Sequence, residues 1–214
     1  MNKIELLKRY LFFLAGLFIL ALGVAISTKA DLGTSPVSSV PFVLSLACPL
    51  SMGTITFLMH ILFILLQILL LRSDYQKIQL LQLAVAVVFG VFTDLTLFLV
   101  AWLDPETYAV KWLCIIISCI ISALGVTMEV LAGVLVLAGE GVILAISQVT
   151  HIEFGKVKIG FDVTQVCLAV TASFLLFHKL NGVREGTLCA AIVIGLLVRL
   201  FSKKLAFIED WFKK

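Results

Sequence analysis

Ionisable side chains are rare inside the apolar runs of this chain, and most of those present fall in one stretch. Glu129, Glu140, Lys158 and Asp162 lie between Ala123 and Asp162, among Leu, Val and Ile. A charge held in such a run costs about 2.5–3.5 kcal/mol on insertion scales unless it is paired or wet. Groups kept at that cost suit reversible chemistry: binding a polar or charged solute, or carrying a proton. Glu140, within Gly139-Glu140-Gly141, is the foremost candidate, because the start of a short helix there would favour its anion. The competing reading puts that turn at the membrane surface, with Glu140 merely solvated. Lys158 and Asp162 are four residues apart and share a helix face. Either they form a structural salt bridge with each other, or Lys158 reaches Glu140 and Asp162 faces a cavity. Thr164 and Gln165 would extend that polar face.

A second set of residues is less constrained. Asp94, inside the third apolar run, and Arg199 lie at equivalent places, each near the end of its half of the chain, and the competing reading puts both at the interface. Glu129 is expected to mark the cytoplasmic end of its helix. His60 stands alone in an apolar helix, where packing is the commoner role. Thr34 and Ser35 belong to a polar segment in the first half of the chain. There is no His-Glu-x-x-His, no Gly-x-Ser-x-Gly, no phosphate-binding Gly-Lys-Ser/Thr loop and no Cys/His cluster. The five cysteines form no Cys-x-x-Cys pair and read as small packing residues. No catalytic residue, metal site or cofactor is therefore expected, nor enzyme activity.

These groups need a scaffold, and composition fixes its solvent. Of 214 residues 62% are hydrophobic and 14% charged, with a mean hydropathy of +1.17. Soluble domains are about half apolar and a quarter charged. The fold class expected is an all-α polytopic membrane helical bundle, a single transmembrane domain over residues 1–214. Tyr10–Ser27 makes roughly 27 Å of helix, enough to cross a bilayer core. Its basic flank imitates a secretory signal, but its length favours a retained span. Further spans are expected over Thr54–Leu71, Ile78–Leu103, Trp112–Met128, Gly160–Phe177 and Thr187–Leu200. Ser35 then Pro36 reads as a helix start, giving a short helix to Ala47 that is too short to cross. The run from Val130 to Val149 reads as an apolar arm, a turn at the Gly-Glu-Gly and a second short helix over Gly141–Val149. Residues 202–214 form an amphipathic tail, with Leu205, Ile208, Trp211 and Phe212 against Lys203, Lys204, Glu209 and Asp210, lying on the membrane surface. Six spans with both termini cytoplasmic put twelve of the sixteen basic residues inside and leave Lys29, Lys111, Lys179 and Arg184 outside.

The halves repeat. Ala21-Leu-Gly-Val24 recurs as Ala123-Leu-Gly-Val126, a shift of 102. A shift of 105 sets Val37 on Val142, Ser35-Pro36 opposite Glu140-Gly141, Gly90 on Gly195 and Asp94 on Arg199. Each half, about 9–106 and 107–201, is then span, short helix, span, span. An odd number of spans inverts the second copy, a 3+3 plan common in transporters, whose sites lie where the repeats meet.

Leu32-Gly-Thr-Ser-Pro36-Val, Leu50-Ser-Met-Gly-Thr54, Gly155-Lys-Val-Lys-Ile-Gly-Phe-Asp162 and Gly182-Val-Arg-Glu-Gly-Thr187 resemble the YczE/YyaS/YitT group of bacterial membrane proteins. The resemblance covers nearly the whole chain and implies a small five- or six-span inner-membrane protein of the kind often presumed to transport. A basic residue followed by an acidic one in the fifth span is common in that group, and Lys158 and Asp162 match it loosely. Where some relatives have Pro-Arg-Asp before the short helix, this chain has Gly-Glu-Gly.

The function expected is secondary transport of a small polar or charged solute across a bacterial cytoplasmic membrane. Glu140, Lys158, Asp162, Gln165, Ser35 and Thr34 would bind substrate or couple a proton. The alternatives are a substrate-capture subunit needing a separate ATPase, and a scaffold or regulator that transports nothing. Partners are the lipid bilayer, a small-molecule substrate and, as an open alternative, a second copy of the chain; nucleic acid is not among them.

Overall fold

The computed structural model describes residues 3–213, and of Glu209, Asp210 and Lys213 the backbone alone. The described residues form helices and no strand: α1 (Lys3–Lys29), α2 (Pro36–Ala47), α3 (Met52–Leu71), α4 (Gln82–Leu99), α5 (Tyr108–Ala132), α6 (Ala138–Thr150), α7 (Phe154–Phe177), α8 (Glu185–Lys204) and α9 (Phe207–Lys213). Six are long and apolar enough to cross a membrane; α2 and α6 are the short helices of the two halves. Local chemistry sets their ends. Pro36 opens α2, where a missing N–H costs nothing. The Ser51 hydroxyl accepts from the Thr54 N–H at the start of α3, and Thr107 does the same for Val110 at α5. Gly133, at φ 61°, ends α5 in the left-handed conformation glycine adopts freely.

The repeat is visible in the packing. Helix α2 starts at Pro36 and α6 at Ala138, α3 at Met52 and α7 at Phe154, each pair 102 residues apart. The left-handed residues after α1 and α5, Asp31 and Gly133, keep the same spacing. Helices α1 and α5 cross as an antiparallel pair at the centre. A Cβ on Gly23 would meet the Ser122 nitrogen at 2.8 Å, and one on Gly125 the Leu20 Cα at 2.8 Å; the shift of 102 exchanges these two contacts. Helix α1 packs on α4 as α5 does on α8, and α2 on α7 as α6 does on α3. The ends correspond too. Arg9 Nη1 donates to the Ala132 carbonyl at 3.0 Å, and its counterpart Lys111 donates to Asp31 at 2.8 Å.

One relation is broken. Helices α3 and α4 are locked together where Gly53 and Gly90 leave no room for a Cβ, whereas α7 and α8 hardly touch. The spans of α3 and α4 bury 39% of their apolar stretch, those of α7 and α8 only 17%. Gly155 meets nothing closer than a Glu153 oxygen at 3.9 Å, and Gly195 has open space around it.

Three expectations are corrected. The Gly-Glu-Gly is not a turn: α6 begins at Ala138, so the triplet lies in its first turn. The cause is packing, since a Cβ on Gly141 would collide with the Gln67 side chain. The offset of 105 therefore gives way to 102 for the short helix and the span after it. Helix α7 starts at Phe154 rather than Gly160 and takes Lys156 and Lys158 into the helix. The tail does more than lie on a surface. Phe212 is 1% exposed, edge-on to Phe12, with the Arg9 guanidinium 4.7 Å from its ring centre. The side chains of Glu209 and Asp210, part of the polar face expected there, lie outside the described residues.

Candidate functional site

A cavity of about 440 Å³ opens where the first turns of α2 and α6 meet. A Cβ on Gly139 would touch Val37 Cγ1 at 3.7 Å, a contact that the 102 shift maps onto itself. The two helix starts therefore face each other across the pseudo-twofold relation, each with the positive end of its dipole toward the cavity.

The wall carries two matched sets. From the second half come Glu140 in α6 and Lys158 and Asp162 in α7; from the first half, at the same positions, come Ser38 in α2 and Thr56 and His60 in α3. Lys158 Nζ donates to Asp162 Oδ1 at 2.9 Å, so the local i,i+4 pair forms. Glu140 lies within electrostatic reach of both, its carboxylate takes a hydrogen bond from its own backbone N–H, and it forms no ion pair among the described residues. His60 Nδ1 lies 2.8 Å from the Thr56 carbonyl, and its ring stands edge-on to Phe63 and Phe89. It is a packed residue and a wall residue at once. Ser35 lines the cavity, its hydroxyl donating to Ser38 at 3.0 Å.

Other expected residues fall elsewhere. Thr34 is fully buried and bonded to Ser27 at 2.8 Å, away from the wall. Gln165 is buried, with Oε1 unpartnered, and lies outside the lining. Thr164 is exposed and donates within its own helix to the Gly160 carbonyl, so no polar stripe extends from Asp162. Glu129 lies in the last turn of α5, as expected, but it is buried: it is 6% exposed, within electrostatic reach of Glu140, and its Oε1 has no partner. Asp94 and Arg199 do not share an environment. Asp94 accepts from the Gly53 N–H at 2.7 Å and the Ser51 hydroxyl at 2.5 Å, capping α3, while Arg199 is exposed on α8.

Ser38 and Thr56 were missed by reading the sequence. The signal was present: carrying the Ala-Leu-Gly-Val shift of 102 along the chain sets Ser38 on Glu140, Thr56 on Lys158 and His60 on Asp162. The apparent match of Val37 with Val142 hid it.

The helices and their cavity define an all-α polytopic membrane bundle built of two like halves. Within that class, the chain belongs to a family of unknown function, DUF6198, which it matches over residues 7–203. No curated protein and no solved structure matches it.

Proposed function

We propose that the protein is a small secondary transporter for a polar or charged solute, with its site in the cavity between α2 and α6. The observation that carries the reading is Glu140: a carboxylate at the first turn of a short helix, without a cation bonded to it, on the wall of an internal cavity. A charge so placed marks a pathway for substrate or protons in membrane bundles. Glu140 binds the solute or exchanges a proton for it, Asp162 and Lys158 set the local field, and Ser35 and Ser38 offer hydroxyls from the opposite helix start. The packing of α1 with α5 and the difference between α3/α4 and α7/α8 suit a bundle whose halves rock about a central pair. The reading places the chain in a bacterial cytoplasmic membrane, both termini inside, performing no covalent chemistry; the likeness to the YczE/YyaS/YitT group accords with it. The test is uptake into proteoliposomes of a solute first found by thermal-shift screening. Glu140→Ala and Asp162→Ala, each folded and inserted, are expected to lower uptake at least tenfold. Undiminished uptake in both would sink the proposal.

A further inference from the structure

We infer that the cavity takes an organic monocation with an apolar body, which reaches Glu140 from the bilayer through the gap between α7 and α8. The inference rests on the transport reading and names its substrate class. Charge is the first ground. Asp162 already holds Lys158, so the one lysine or arginine on the cavity wall among the described residues is matched and Glu140 is left over. Behind it lies Glu129, buried, with a bare oxygen. An anion would meet Glu140 with no unmatched cation to offset it; a cation would find a counter-ion in a medium where Coulomb attraction far exceeds its value in water.

The rest of the wall is the second ground. Met59, Phe63, Phe89, Leu137 and Phe154 dominate it. A small hydrated solute would lose its water shell to carbon, whereas an aromatic or alkyl body gains by leaving water and a cation is drawn to ring faces. The rim is the third. The lining residues that reach the outside include Val130, Phe154 and Ile159, at 59%, 40% and 67% exposure, beside Ala191 and Gly195. The charge of Lys158, 35% exposed at the same edge, is matched by Asp162. An apolar rim between two loosely packed spans faces lipid, not water.

Purified protein is titrated by calorimetry with tetraphenylphosphonium and with tetraphenylborate, ions of one shape and opposite charge. The phosphonium is expected to bind at least tenfold more tightly, and Glu140→Gln to remove at least tenfold of that affinity while Glu140→Asp keeps most of it. Gly195→Phe in liposomes should slow phosphonium association at least threefold. Borate binding as tightly as the phosphonium would overturn the inference without recourse to any variant. So would phosphonium affinity unchanged in folded Glu140→Gln, and unchanged association in Gly195→Phe would overturn the route. Glu140-dependent uptake of a zwitterion without phosphonium binding would remove this inference and leave transport standing. Phosphonium binding without uptake of any solute would remove the transport reading alone.

Discussion

Ser38, Thr56 and His60 occupy on one side of the cavity the positions that Glu140, Lys158 and Asp162 occupy on the other. The backbone frame is shared, and the chemistry is not. The neutral set sits on α2 and on α3, and α3 is locked to α4 through Gly53 and Gly90 and capped by Asp94. The charged set sits on α6 and on α7, which α8 scarcely touches. Looseness and charge go together for a physical reason. A hydroxyl or a neutral imidazole is satisfied by one carbonyl, as His60 is by Thr56, and can be packed dry. Ionised groups need partners or water, and sealing them behind tight helices would cost several kcal/mol per ion. Two copies of one plan have thus become a closed neutral wall and an open charged one.

Matched substitutions test that contrast directly. Exchanging the charged member, Glu140→Gln, should cut solute uptake at least tenfold, and removing its counterpart, Ser38→Ala, less than twofold. Equal losses would mean that the halves share the work evenly. Stability should show the opposite asymmetry. Gly90→Leu forces a side chain into the Gly53 carbonyl and is expected to destabilise by about 1–3 kcal/mol. Gly195→Leu enters open space and should change stability by less than about 0.5 kcal/mol. Thermal unfolding in detergent reads both, and a large loss at Gly195 would show that α7 and α8 pack closely in the membrane. The smallest effect concerns the ends. Arg9→Ala frees the Ala132 carbonyl and the Phe212 ring, at about 1 kcal/mol. Lys111→Ala breaks a pair with Asp31, which is 71% exposed, and should cost under about 0.5 kcal/mol. The same melting curves rank the two, and a reversed order would dissolve the correspondence between those ends.

Much of the bundle was legible. Runs such as Thr54–Leu71 have no soluble use, and the Ser35-Pro36 start gave the bounds of α2. The site was legible in its charged half only, because an ion in an apolar run announces its cost while a serine does not. Ser38 and Thr56 look like any helix hydroxyls. Glu129 looked interfacial because it stands in the last turn of its helix, and nothing local says that the side chain is buried there. Asp94 looked interfacial, yet it caps a helix that begins some forty residues earlier in the chain.

The sequence by itself determined the solvent, the six spans, the two short helices and the residues whose charge is costly in an apolar run. These follow from transfer free energies and capping, which act over a few neighbouring residues. Tertiary structure decided the register of the repeat, the meeting of Val37 with Gly139, the pairing of Lys158 with Asp162 rather than Glu140, and which pair of spans stands apart. Those depend on where glycines let distant backbones approach and on where buried ions find partners, and neither is written in the run of residues around them.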